Sequence, residues 1–140
     1  MGAGGGTDRI RAAGIFIWAI AAGFFLYEFF LRTFFGSLEP QIMKSLQLNA
    51  ATFSLLGACY YLTYGLMQIP VGILVDRFGV KATTVFAASV CGISALLFAA
   101  ATGFALGLAA RLLMGLGSSF AFIILLVIAR DWFPRKNFGL

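Results

Sequence analysis

Charged side chains fall along this chain in a few short groups, and long apolar runs separate them. Ala50 to Val75 holds no ionisable group except the phenols of Tyr60, Tyr61 and Tyr64 and the thiol of Cys59. Ala82 to Gly103 holds none except Cys91. Between the two runs lies one charged turn, Asp76-Arg77-Phe78-Gly79-Val80-Lys81. A chain crossing hydrocarbon must satisfy its backbone internally, so it isolates its polar turns outside the bilayer in this way. The pattern predicts four transmembrane helices, over 12–35, 50–75, 82–102 and 104–129. They are joined by an outer loop at 36–49, the charged turn at 76–81 and a minimal turn at Gly103. At about 1.5 Å per residue, runs of this size span a hydrocarbon core of ~30 Å. Residues 1–11, rich in glycine at the start, read as a disordered tail. Residues 130–140 read as a second tail, with Trp132 at the interface and Pro134 as a helix stop. The first run is too long for a signal peptide and lacks a small-residue cleavage site at its Phe-rich end.

Composition agrees and removes several function classes. Hydrophobic residues make up 61% of the chain and charged residues 11%, with 16 Phe, so the fold class is all-α integral membrane protein. The net charge of +5 reflects topology and not a nucleic-acid partner. Arg9, Arg11, Arg77, Lys81, Arg130, Arg135 and Lys136 fall on one side of a four-span layout, and Lys44 alone falls in the loop opposite. The positive-inside rule then places both termini and the 76–81 turn in the cytoplasm. With no His, and with Cys59 and Cys91 in separate runs, no metal site, cofactor site or disulfide framework is expected. No paired nucleophile and base supports an enzyme.

Three ionisable residues inside the runs carry the candidate chemistry. Glu28 and Arg32 lie four residues apart, the spacing that brings side chains together on a helix. Arg111 lies about two turns into the fourth run, so with flush helix ends it sits near the depth of Glu28, each roughly 10 Å from the outer boundary. A structural ion pair between them is the plain alternative. Groups this deep more often mark a substrate pathway or proton relay. Arg32 reads first as a side chain snorkelling to the outer interface. Gly57, Tyr60, Tyr61, Tyr64, Gln68 and Gly72 share one broad helical face, suited equally to helix packing or to lining a cavity. Gly115, Gly117, Ser118 and Ser119 read as close-contact packing positions.

Gly72-x-x-x-Asp76-Arg77-x-Gly79-x-Lys81, between the second and third spans, resembles the signature loop of the major facilitator superfamily. Arg111-x-x-x-Gly115-x-Gly117 resembles a second motif of that family. Tyr27-Glu28-Phe29-Phe30-Leu31-Arg32, Tyr64-Gly65-Leu66-Met67-Gln68-Ile69-Pro70-Val71-Gly72 and Trp132-Phe133-Pro134 are similar to a bacterial branch. That branch is similar to sugar-phosphate and organic-anion permeases and, more distantly, to lysosomal dipeptide transporters.

The resemblance implies that these spans are the first part of the six-helix N-terminal half of a facilitator, and that the chain is a truncated or partial product. Its partners would be a small-molecule substrate, a coupled proton, the lipid bilayer and the missing C-terminal helices of the parent transporter. The location implied is the bacterial inner membrane. The activity implied is secondary active transport, by alternating access, of an organic anion, sugar phosphate, amino acid or small peptide. Glu28, Arg32, Arg111, Tyr60, Tyr64 and Gln68 would form the substrate and proton site. Gly72, Asp76, Arg77, Gly79, Lys81 and Asp131 would form a conformational latch, with Asp131 in reach of Arg77 and Val80 replacing a usual basic residue. Two alternatives stay open: a small four-helix multidrug exporter acting as a homodimer, and a non-transporting membrane assembly subunit. Arg32 and Arg111 count against both.

Overall fold

The computed structural model of the chain describes residues 4–132, with side chains from 9 onward. Five helices follow one another: α1 (Gly4–Ser37), α2 (Glu39–Ser45), α3 (Ala50–Phe78), α4 (Val80–Ala99) and α5 (Phe104–Trp132). Four of them are long and apolar enough to cross a membrane, and α2 is the exception. α1 begins at Gly4, inside the stretch read from sequence as a disordered tail. Of that tail only residues 1–3 lie outside the described residues, as do 133–140 of the C-terminal tail.

The connections follow from local chemistry. The 36–49 loop contains α2, which has Pro40 in its first turn, where a missing N–H costs nothing, and charges that suit the helix dipole, Glu39 at the start and Lys44 at the end. Gln47, at φ 52°, turns the chain back. Asn49 then caps α3: its side chain accepts from the Thr52 N–H at 2.8 Å, and its own N–H donates to Thr52 Oγ1 at 3.0 Å. α3 continues through Pro70. The 76–81 turn contracts to one non-helical residue, Gly79, whose φ of 82° favours glycine and which ends α3 and starts α4.

α5 is the centre of the bundle. It packs against α1, α3 and α4, whereas α3 and α4 touch each other little. Half of its most apolar window is buried, against 17% for α1 and for α3, so the outer helices keep most of their apolar surface for lipid or further helices. Two apolar clusters form. Phe35, Ile42, Leu46, Phe53, Leu56 and Ala101 pack at the α2 end. Ala21, Val71, Val75, Ala87, Phe120, Ile124 and Ile128 pack toward the Gly79 end. Among the buried polar residues, Glu28, Arg111 and Ser118, together with Tyr60, form a polar layer where α1, α3 and α5 meet, with Arg111 against Phe35 and Leu56 of the cluster at the α2 end.

Candidate functional site

Two glycines let α5 enter the polar layer. A Cβ on Gly115 would stand 2.6 Å from the Tyr60 carbonyl oxygen, and one on Gly117 would stand 2.6 Å from Cys91 Sγ and 3.1 Å from the Ala87 carbonyl. α5 therefore meets the α3 backbone on one flank and the α4 backbone on the other, the close approach that small residues permit between membrane helices.

The same contacts fix the register. α1 and α5 run antiparallel, with Gly14 against Trp132, Phe25 against Phe122 and Phe35 against Arg111. Ser118 then comes level with Glu28. Arg111 lies seven residues away along α5, about 10 Å by the helical rise. The expected meeting of Glu28 and Arg111 does not occur. Counting from helix ends sets the two residues at one depth, but α5 enters beyond the end of α1, where Gly107 packs on Leu46 next to α2.

Arg111 is held between aromatic faces. Its guanidinium carbon lies 3.9 Å from the Phe35 ring centroid and 4.5 Å from that of Tyr60. Its Nε donates to the Leu56 carbonyl at 3.4 Å, and Nη1 lies 3.5 Å from Met114 Sδ. A ring face attracts a cation most where water is excluded, so this cation is stabilised without a carboxylate.

Around Glu28 the polar groups converge without pairing. Arg32 on α1, Tyr60 on α3, Cys91 on α4 and Ser118 on α5 face its carboxyl. None stands at hydrogen-bond geometry. Glu28 Oε1, Arg32 Nε, the Tyr60 and Ser118 hydroxyls and the Gln68 amide nitrogen are all buried without a hydrogen-bond partner among the described residues. Arg32 does not bridge to Glu28; it folds against α3, with its guanidinium carbon 4.8 Å from the Tyr64 ring centroid and 5.6 Å from that of Tyr61. Tyr60 sits between the two arginines, with Arg32 at 5.9 Å and Arg111 at 4.5 Å from its ring. Leaving such groups unpaired costs about 1–3 kcal/mol each. The unpaired groups are concentrated on three helices, α1, α3 and α5.

Of the residues grouped from the sequence, the structure brings Arg32 against Tyr60 and Tyr64, while Ser118, which reads from the sequence as a packing position, comes level with Glu28. Its signal was present: Ser118 lies two turns from Arg111 on the same face of α5. The latch residues lie apart from this layer. Asp76, Arg77 and Lys81 are exposed, and Arg77 lies over the ring of its neighbour Phe78 at 5.6 Å. Asp131 pairs with the adjacent Arg130 at 3.0 Å and not with Arg77. A Cβ on Gly72 would meet nothing within 4 Å, so no described helix uses that close approach.

The chain is 32% identical over 136 residues to a Bacillus subtilis (strain 168) protein named Uncharacterized transporter YybO, a match covering 95% of this chain. The chain spans 31% of the length of that relative. No solved structure matches the chain. Residues 9–140 match the Major Facilitator Superfamily. With four apolar helices of spanning length around one polar layer, the chain is an integral, multi-pass, all-α membrane protein that belongs to the Major Facilitator Superfamily.

Proposed function

We propose that these helices belong to a secondary transporter that carries a small anionic or zwitterionic organic solute by alternating access, one half of the molecule rocking against the other. The observation that supports this most directly is the set of unpaired buried groups. Arg32 Nε and the Gln68 amide are donors, and Glu28 Oε1 is an acceptor. An arginine beside amide and phenol donors suits a carboxylate or phosphate. Glu28 binds a substrate amine or takes up the coupling proton, and Arg111 supports Tyr60 from the opposite side. Both termini and the Gly79 turn face the cytoplasm of a bacterial inner membrane, with Arg9, Arg11, Arg77, Lys81 and Arg130 on the inner side. The exposed Asp76, Arg77 and Lys81 then stand where they engage the other half of the transporter.

Uptake assays test this in cells expressing the full transporter that carries this sequence, with amino acids, dipeptides, organic anions and sugar phosphates as substrates. Arg32→Gln is expected to reduce uptake of the preferred solute roughly ten- to hundredfold, the loss of one charge-assisted contact. Glu28→Ala is expected to abolish the pH dependence of uptake. Proton coupling that survives unchanged in Glu28→Ala removes that role from the residue.

A further inference from the structure

The buried hydroxyls of these helices share a habit that one of them breaks. Thr83 Oγ1 donates to the Gly79 carbonyl at 2.7 Å, Ser94 Oγ to that of Cys91 at 2.8 Å and Ser119 Oγ to that of Leu116 at 2.6 Å. Bonding back one turn is the ordinary resting place for such a group inside hydrocarbon. Ser118 adjoins Ser119 and is equally buried, at 0% exposure, yet its Oγ has no partner. It faces the Glu28 carboxyl from α1 and the Tyr60 hydroxyl from α3. Three oxygen atoms from three helices thus converge, and each is buried and unsatisfied.

We propose that Ser118 is a positioning residue for Glu28: its hydroxyl, together with that of Tyr60, donates to the carboxylate when Glu28 is ionised and releases it when a proton from the aqueous phase binds there. Ser118 thereby sets the pH at which Glu28 changes charge. The other groups facing this carboxyl are Tyr27 and Arg32 on α1 and Cys91 on α4. Tyr27 is exposed, and Arg32 lies against the α3 tyrosines, so Ser118 and Tyr60 are the hydroxyl donors on the buried side, with the Cys91 thiol a weaker donor beside them. The geometry stands by itself. Its consequence for coupling rests on the reading of Glu28 given above.

The test is an infrared titration of the whole chain in lipid bilayers, following the protonated carboxyl band. The chain has five acidic side chains, so Glu28→Gln identifies the band by removing it. Ser118→Ala is expected to raise the midpoint by about one pH unit, the size of one hydrogen bond to a charged group. Ser118→Thr, which keeps the hydroxyl, restores it, and Ser118→Cys, a weaker donor of similar size, falls between. Ser119→Ala leaves the midpoint in place. An unmoved midpoint in both Ser118→Ala and Ser118→Cys, or an equal shift in Ser119→Ala, overturns the proposal. The band reports on the carboxyl whether or not solute moves. A shifted midpoint with pH-independent uptake would therefore refute coupling through Glu28 and leave the role of Ser118 standing.

Discussion

Arg111 and Glu28 are buried alike, at 2% and 1% exposure, and both belong to the polar layer where α1, α3 and α5 meet. Their surroundings treat them differently. Arg111 is sandwiched by Phe35 and Tyr60 and bonded to the Leu56 carbonyl. Glu28 has neutral oxygens and a thiol aimed at it, and Oε1 has no partner. Burial of a charge therefore does not tell structure from function in this protein. On the function proposed above, a group whose contacts are filled belongs to the scaffold, and one whose contacts are left open is the one to test for a ligand or a proton. Tyr60 joins the two regions, because its ring supports Arg111 while its hydroxyl faces Glu28.

The largest effect should come from forcing both regions apart at once. Gly115→Ala places a methyl 2.6 Å from the Tyr60 carbonyl and pushes α5 away from the wall that the two regions share. A cost of about 1–3 kcal/mol is expected from such overpacking. Gly72→Ala, which meets nothing within 4 Å, serves as the matched control and should be neutral or slightly stabilising. Unfolding in detergent micelles, followed by helicity, measures both. Equal stability of the two variants would mean that the close approach at Gly115 does not hold the layer together.

Next in size is Arg111→Ala, which empties the space between two rings. A loss of about 2 kcal/mol is expected in the same unfolding assay. Arg111→Met, which fills the volume without charge, should recover most of it, because replacing a buried charge by an apolar side chain of similar size is often neutral or favourable. If methionine is as damaging as alanine, the positive charge itself has a partner, and the contrast with Glu28 narrows. If both variants fold like the parent and only uptake fails, Arg111 moves to the functional side.

The spans were legible in the sequence because hydrocarbon enforces a coarse rule, and charges at Arg9, Asp76, Lys81 and Arg130 mark where the rule stops applying. Less legible was anything set by register. Glu28 and Arg111 were placed at one depth by counting from helix ends, but depth is decided by where Gly115 and Gly117 let α5 settle and by α2 displacing the start of α5. Ser118 was hidden for a related reason. A serine beside two glycines reads as a packing residue until the neighbouring helices show that its hydroxyl forgoes the bond back to its own turn. Gly79 needed no tertiary context, since a turn of one residue between two helices favours a residue that tolerates positive φ.

The smallest effect on stability, and the one of opposite sign, is expected at Glu28. Glu28→Gln removes a buried carboxylate with no ion-pair partner among the described residues, while keeping the size of the side chain and adding N–H donors for the Tyr60 and Ser118 oxygens. A gain of up to roughly 1 kcal/mol is expected, because the desolvation cost of the carboxylate disappears and new hydrogen bonds of ordinary strength can form. Micelle unfolding of Glu28→Gln alongside Arg111→Ala gives the comparison directly. A loss of 2 kcal/mol or more on removing the charge, the signature of a broken buried pair, would show that the carboxylate has a fixed partner within the protein. Glu28 would then join Arg111 as scaffold, and the binding function would shift to Arg32 and the tyrosines around it. A more stable Glu28→Gln that has lost pH-dependent uptake would show that the open contacts are kept at some cost to stability and used in transport.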